Sequence, residues 1–461
     1  MTDRALDLDD IQGNVLGGFN TNVQDFLFFS LDAKRERDAA LWLAARADEV
    51  TPVSAVKAAR TAIKTASGLD APTWLFLAVS HGLLKSLAPD VFVSDIAFIQ
   101  GHLARAKGIL NDLTDPQTWV AGSLVRPIDV LLIVGGNVEA TVMARADTLV
   151  EAATGSGLTL VWREAGRRLD DDEHFGFRDG ISQPLISGFD PGGTMGAGHF
   201  VFGYPRKTGE APVVPRLDPR GVADNGSLMV WRRLGQDVQA FRDFCKVQAA
   251  ALSAQWPGFD AAHLAALLVG RWPSGAPVLK GQTTDPKPES SDNGFDFSND
   301  SDGKSCPFGA HVRKVNPRAG KKDVVDVPRM IRRGIPYGQR LDEAPDKPDR
   351  GLTFVSFQTS ITDQFEFLTQ HWMNSDSKPA PESDLLVGRR SPPGVLNIQG
   401  PDGAIPVQGP NRFWIIPSGG AYLFAPGRAG LRKLADPPSS HGWKLAQALM
   451  LEMTGPVEDL L

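Results

Sequence analysis

The chain has 461 residues, 42% hydrophobic and 22% charged, with a net charge of −6. That length can bury the cores of two domains, and the acidic balance excludes the basic face that nucleic-acid binding requires. No apolar run reaches bilayer-spanning length, and two cysteines, Cys245 and Cys306, make neither a disulfide framework nor a Cys-x-x-Cys-His haem attachment.

Taken in chain order, the first ten residues are acidic and carry neither a hydrophobic signal segment nor a twin-arginine leader, so the expected location is the cytoplasm. The pattern then predicts a strand over about 24–32, a helix over 35–49, strands over 73–80 and 128–135, a helix over 138–152 and a strand over 158–168. That β-α-β-β-α-β order is the signature of a ferredoxin-like unit, an antiparallel sheet with helices packed on one face.

Next comes Phe175-Gly-Phe-Arg-Asp-Gly-Ile-Ser-Gln-Pro184, which brackets one carboxylate, Asp179, with glycines. Glycine permits backbone angles closed to other residues and close approach to a flat ligand, and a lone acid at the apex suits proton transfer. Taken alone, an Asp-Gly pair also fits an ordinary turn. Phe189 to Gly198 and the proline-rich run from Pro212 to Pro219 read as connecting loops, which puts a domain division near residue 220.

A second unit is expected over 221–461. It starts at a strand over Ser227–Arg233 and continues through helices over 238–252 and 260–271, strands over 327–335 and 351–359 and a helix over 361–374, ending near Ala421–Phe424. The serine-rich acidic loop from Thr283 to Ser305 reads as solvated, because Asp296, Asp300 and Asp302 lack the acidic twelfth ligand of a calcium hand. In Cys306-Pro-Phe-Gly-Ala-His-Val-Arg-Lys-Val-Asn-Pro-Arg318, His311 is a candidate iron ligand, and Arg313, Lys314 and Arg318 are candidates to pair with cofactor carboxylates. Met330-Ile-Arg-Arg-Gly-Ile-Pro-Tyr-Gly338 reads as a strand running into a turn, on which Arg332 and Arg333 point to opposite faces, one of them toward a pocket.

The Gly176–Gly180 turn, the histidine followed by a basic stretch at His311–Arg318, and Arg332 before Gly334-Ile-Pro-Tyr337 stand in this order, and together they resemble the dye-decolourising peroxidases, a family of haem enzymes. Ile11-Gln-Gly-Asn-Val-Leu16 and Gly351-Leu-Thr-Phe-Val-Ser-Phe-Gln358 extend the resemblance over most of the chain. It implies an α+β fold of two tandem ferredoxin-like domains with one non-covalent haem b in the second. It also implies peroxidase activity on hydrogen peroxide through high-valent iron, with dye-like, phenolic or other small aromatic donors. The rival is a haem-binding or haem-transfer protein with incidental activity, and a homo-oligomer stays open.

Residue by residue, the resemblance makes Asp179 the proton carrier, Arg332 the stabiliser of charge on the peroxide and His311 the axial ligand. Gly180, Ile181 and Ser182 would border the haem, Leu352 and Phe354 would form the apolar wall above the iron, and Arg313 and Arg318 would hold its carboxylates. Many bacterial relatives carry asparagine where this chain has Gly334, so Asp179 and Arg332 are the polar distal candidates. Either Asn374 or Asp376 would hydrogen-bond His311, and Tyr337 or Trp372 would relay electrons from donors too large for the pocket.

Overall fold

The computed structural model describes residues 4–454 except 66, 69, 113, 288–291, 319–325 and 390–392. Its first half holds α1 (Gly13–Leu16), β1 (Val23–Leu31), α2 (Glu36–Ala45), α3 (Val53–Thr65), β2 (Trp74–Ser80), α4 (His81–Leu87), α5 (Ile96–Arg105), β3 (Val130–Gly136), α6 (Glu139–Thr154) and β4 (Leu158–Arg167). The expected order is present, with α3, α4 and α5 as additions. The second half holds β5 (Ser227–Gln236), α7 (Val238–Leu252), α8 (Ala261–Val269), α9 (His311–Val315), β6 (Ile331–Arg332), β7 (Ile335–Tyr337) and β8 (Gly351–Gln358). It ends with two helical segments of π geometry at Ile361–Glu366 and Leu368–Met373, then β9 (Val395–Gly400), β10 (Gly403–Gln408), β11 (Ile415–Ala425), α10 (Arg428–Lys433) and α11 (Ser440–Thr454).

Strand pairing makes the two halves equivalent. In the first the order is β2-β3-β1-β4, and in the second β7-β8-β5-β11, so each has the ferredoxin-like arrangement, with β6 also pairing on β8. The halves then join through β4 with β7 at Gly166↔Tyr337 and β11 with β2 at Leu423↔Ser80, closing one antiparallel barrel. Closure removes the exposed edges that two separate sheets would leave.

Side chains alternate across this wall. Phe26, Phe28, Phe76, Ile133, Trp231 and Phe357 point into the barrel and form one core, while Leu27, Phe29, Leu77, Val79, Leu132 and Val134 point out and pack under the helices. The Ile11–Leu16 segment belongs to the inner core. The Gln12 side-chain amide donates to the carbonyls of Leu77 and Pro426, at 2.8 Å each, and its oxygen accepts from the Leu77 N–H at 2.9 Å.

Candidate active site

On the second half, the outward faces of β5, β6 and β8 do not meet their helical layer, and a cavity of about 300 Å³ lies between them. Its sheet wall presents Arg232, Leu234, Arg332, Leu352 and Phe354, and its opposite wall presents His311, Phe365, Leu368, Thr369 and Met373. Leu352 and Phe354 thus stand two apart on β8, against the cavity. The single strand expected over 327–335 is two short pieces, with Gly334 between them opposite Phe354, where a Cβ would meet the Thr353 carbonyl at 3.0 Å. The helix expected over 361–374 has the wider π turn, a geometry frequent at functional sites, and its residues 365, 368, 369 and 373 all line the cavity.

His311 opens α9 and faces the cavity. Its Nδ1 donates to Asp384 Oδ2 at 2.7 Å, and the Asp384 side chain is fully buried. The other carboxylate oxygen accepts from the N–H groups of Leu386 and Val387, at 2.9 and 3.0 Å. A carboxylate held in this way fixes the tautomer and ring orientation, raises imidazole basicity and leaves Nε2 for a metal. The partner is therefore neither Asn374 nor Asp376. Asn374 accepts instead from the Arg389 N–H at 2.6 Å. Asp384 stands 73 residues beyond His311, and no local spacing points to it.

The facing turn is built around Glu173. Its carboxylate accepts from the N–H groups of Phe175 and Phe177, at 3.0 Å each, and from the Gln236 amide at 2.5 Å. Burial pushes its pKa up to about 7 against the effect of those three donors. Gly176 and Gly180 take φ of 93° and 78°, which glycine adopts without strain. Asp179 is solvent-exposed at the cavity rim, where its Oδ1 accepts from the Gly180 N–H at 2.6 Å. Gly180, Ile181 and Ser182 continue the rim.

Arg332 reaches this turn from β6, its guanidinium donating to the Ser182 carbonyl at 3.1 Å. Gln183 fastens the two segments by exchanging two hydrogen bonds with the Arg332 main chain, each 3.1 Å. Those contacts bring together residues far apart in sequence. Arg333 points the other way, donating to the carbonyls of Asn14 and Leu16, and burial pushes its pKa down to about 10. The expectation that the two arginines face opposite ways, with one toward a pocket, describes the structure.

Other expectations need correction. Arg313 does not line the cavity. It is buried, donates to Asp300 Oδ2 at 2.7 Å and to the Cys306 carbonyl at 2.5 Å, and lies over the rings of Phe297 and Phe308. Asp300 is thereby an anchor, taking the Ser305 and Cys306 N–H groups as well. Arg318 reaches the cavity only through Ser182 Oγ at 3.1 Å, its other bonds going to Asn293 and Phe295. The Cys306 thiol is buried, does not line the cavity, and is pushed up to about 12 by burial. His174 is buried and bonds the Tyr337 carbonyl at 2.8 Å, so it ties the turn to β7.

Sequence reasoning missed Glu173, Gln183, Gln236, Arg271 and Arg329. Arg271 and Arg329 line the cavity, and burial holds both below the usual guanidinium range. An anionic carboxylate nearby would reverse that shift. The one signal for Arg329 is its position three residues before Arg332.

An imidazole backed by a buried carboxylate on one wall, a carboxylate and a guanidinium opposite, and apolar side chains between them define a haem-peroxidase type of site. The comparisons agree. Residues 10–168 match the family model described as the DyP dimeric alpha+beta barrel domain, and residues 273–384 match the Dyp-type peroxidase C-terminal model. A dye-decolorizing peroxidase of Mycena epipterygia is 30% identical over 94% of this chain and 88% of its own length. The multifunctional dye peroxidase DyP2 of Amycolatopsis is 32% identical over 72% of this chain and 76% of its own. Among solved structures, an ancestral D-type dye-decolorizing peroxidase superposes with a TM-score of 0.82 at 29% identity, covering 94% of this chain and all of that one. A dye-decolorizing peroxidase in complex with 2,6-dimethoxyphenol gives 0.78 at 28% identity, covering 93% and 100%. The chain belongs to the dye-decolourising peroxidase family. It is a peroxidase of that haem-dependent family.

Proposed function

We propose that one non-covalent haem b binds in this cavity, that hydrogen peroxide is reduced on the Asp179–Arg332 side, and that small phenolic or other aromatic compounds are the donors. The observation that carries the reading is the His311–Asp384 pair at 2.7 Å facing Arg332 and the Asp179 turn across the cavity. The residues present suit the group. His311 would hold the iron through Nε2, Leu352 and Phe354 would cover the opposite face, and Arg329 and Arg271 would take its carboxylates, with Arg318 holding the Ser182 rim in place. When bound, the haem would hold the two oxidising equivalents that each peroxide delivers and pass them to donors one electron at a time.

The chain's own groups handle the proton and the charge. Asp179 would take a proton from the bound peroxide and return it to the oxygen that leaves as water. Arg332, always charged, stabilises negative charge as the O–O bond breaks. Glu173 and Gln183 hold the turn and the strand so that the two side chains stay in reach. A phenol bound to a structural neighbour at 28% identity supports phenols as the donor class here. The division near residue 220, between the strands of the two halves, belongs to the same proposal.

The experiment is stopped-flow absorption of haem-loaded protein mixed with one equivalent of hydrogen peroxide. Fast conversion of the Soret band to an oxidised spectrum that a phenol reverses is the expected result. A Soret band that peroxide merely bleaches would favour haem binding or transfer instead.

A further inference from the structure

We propose that Lys314 is a positioning residue for the iron ligand. Together with the Glu382 carboxylate it fixes the loop that presents Asp384 to His311, and so sets how strongly the imidazole donates to iron. This role rests on the haem reading above and brings in residues outside the cavity wall.

Lys314 is one of the basic residues expected to pair with cofactor carboxylates, yet it does not line the cavity. It is fully buried, where an ammonium is costly unless it is hydrogen-bonded. Its Nζ donates to the carbonyls of Ala380 and Glu382, at 2.7 and 2.6 Å. Those carbonyls stand shortly before Asp384 in the chain. His311 and Lys314, three apart, share one face of α9.

Three rungs therefore join the His311 segment to the Asp384 loop. Ahead of α9 the Gly309 N–H donates to Glu382 Oε2 at 3.0 Å, at its start His311 donates to Asp384 at 2.7 Å, and a turn later Lys314 holds the two carbonyls. The segments touch backbone to backbone. A Cβ at Gly309 would stand 2.4 Å from the Ser383 carbonyl oxygen, so the approach requires glycine there.

Glu382 has a φ of 71°, a left-handed angle that residues other than glycine adopt at a cost. Bonds on both its carbonyl and its carboxylate hold it there, including one from the Asn397 amide at 3.1 Å. Burial raises the Glu382 pKa, against the Gly309 and Asn397 hydrogen bonds and the Lys314 charge. The Leu386 and Val387 N–H groups fix Asp384 from the following side of the chain, and Lys314 and Glu382 fix it from the preceding side. A hydrogen bond weakens with misalignment, so a displaced Asp384 makes His311 a poorer donor.

Resonance Raman spectroscopy of the ferrous, haem-loaded protein tests this through the iron–histidine stretch, which follows imidazole donation and which a merely structural role would not move. Asp384→Asn sets the scale by lowering that frequency. Lys314→Met, similar in size but without donors, should lower it by at least half as much and slow the peroxide step about tenfold, with haem still bound. Glu382→Gly should lower it too, with the melting temperature near wild type, because glycine takes the left-handed angle without strain. A wild-type frequency in Lys314→Met beside a lowered one in Asp384→Asn would overturn the role of Lys314 and leave the haem reading standing. If Lys314→Met does not fold, the Glu382→Gly frequency decides in the same way. A wild-type frequency in Asp384→Asn would also overturn the inference, and absence of an iron–histidine band in the wild type would overturn ligation by His311 itself.

Discussion

The two halves of the barrel share one topology and differ in what lies between sheet and helices. Over the first half the outward face is packed solid, with Leu27, Leu77 and Leu132 against Leu43, Val142 and Leu149. Over the second half the equivalent face carries Arg232, Leu234, Arg332, Leu352 and Phe354, and the helices stand off. The architecture is the same, so the site comes from the side chains of a few strand positions, from the π geometry of residues 361–373 and from the loops that replace close packing. Fold and function are separable in this molecule because both copies build the barrel, while only the outward face of the second is left open to a cavity.

That contrast predicts two kinds of mutant. The largest chemical effect is expected for Asp179→Ala, a drop of about 10²–10⁴ in the peroxide rate constant, with haem content and melting temperature near wild type. A buried position on the closed half behaves in the opposite way. Leu132→Ala should lose about 2–5 kcal/mol of unfolding free energy in denaturant titration, with turnover per bound haem unchanged. Equal loss of turnover in the Leu132 variant would break the separation. Arg332→Leu is next, at about 10²–10³ in the peroxide step, read by stopped-flow absorption. Asp384→Ala should weaken haem retention about 10–100-fold, measured by transfer of haem to an acceptor protein.

The smallest effect concerns pH. Glu173 has a folded pKa raised to about 7 from the ordinary 4.5, so the folded state binds more protons than the unfolded one between those values. Stability must then fall as pH rises across that window and level off above about 7. Glu173→Gln removes the titration, so its melting temperature should change less than that of the wild type over the same range. Parallel curves for the two proteins would show that Glu173 does not titrate there and that the turn around Asp179 is held by other contacts.

Much of this was legible in the residues. The β-α-β-β-α-β order of the first half, the glycine turn at Asp179, His311, Arg332 and the Leu352–Phe354 wall are local patterns. Local patterns survive folding because strand alternation and glycine angles are set by neighbouring residues. The opposite facing of Arg332 and Arg333 was legible for the same reason. Arg313 was misread because a basic residue beside a ligand looks available, and only packing shows that Asp300, Phe297 and Phe308 already hold it.

The sequence by itself determined the glycine turn at Asp179, His311 and the arginine pair, their order, and the β-α-β-β-α-β unit of the first half, all of which depend on short-range periodicity and spacing. Tertiary structure alone decided which carboxylate backs His311, which glutamine joins the Asp179 turn to β6, and how two units close into one barrel. Each of these joins segments at least 73 residues apart in the chain. Contacts of that reach are selected by global packing and by the cost of burying an unpaired polar group, and neither leaves a local signature.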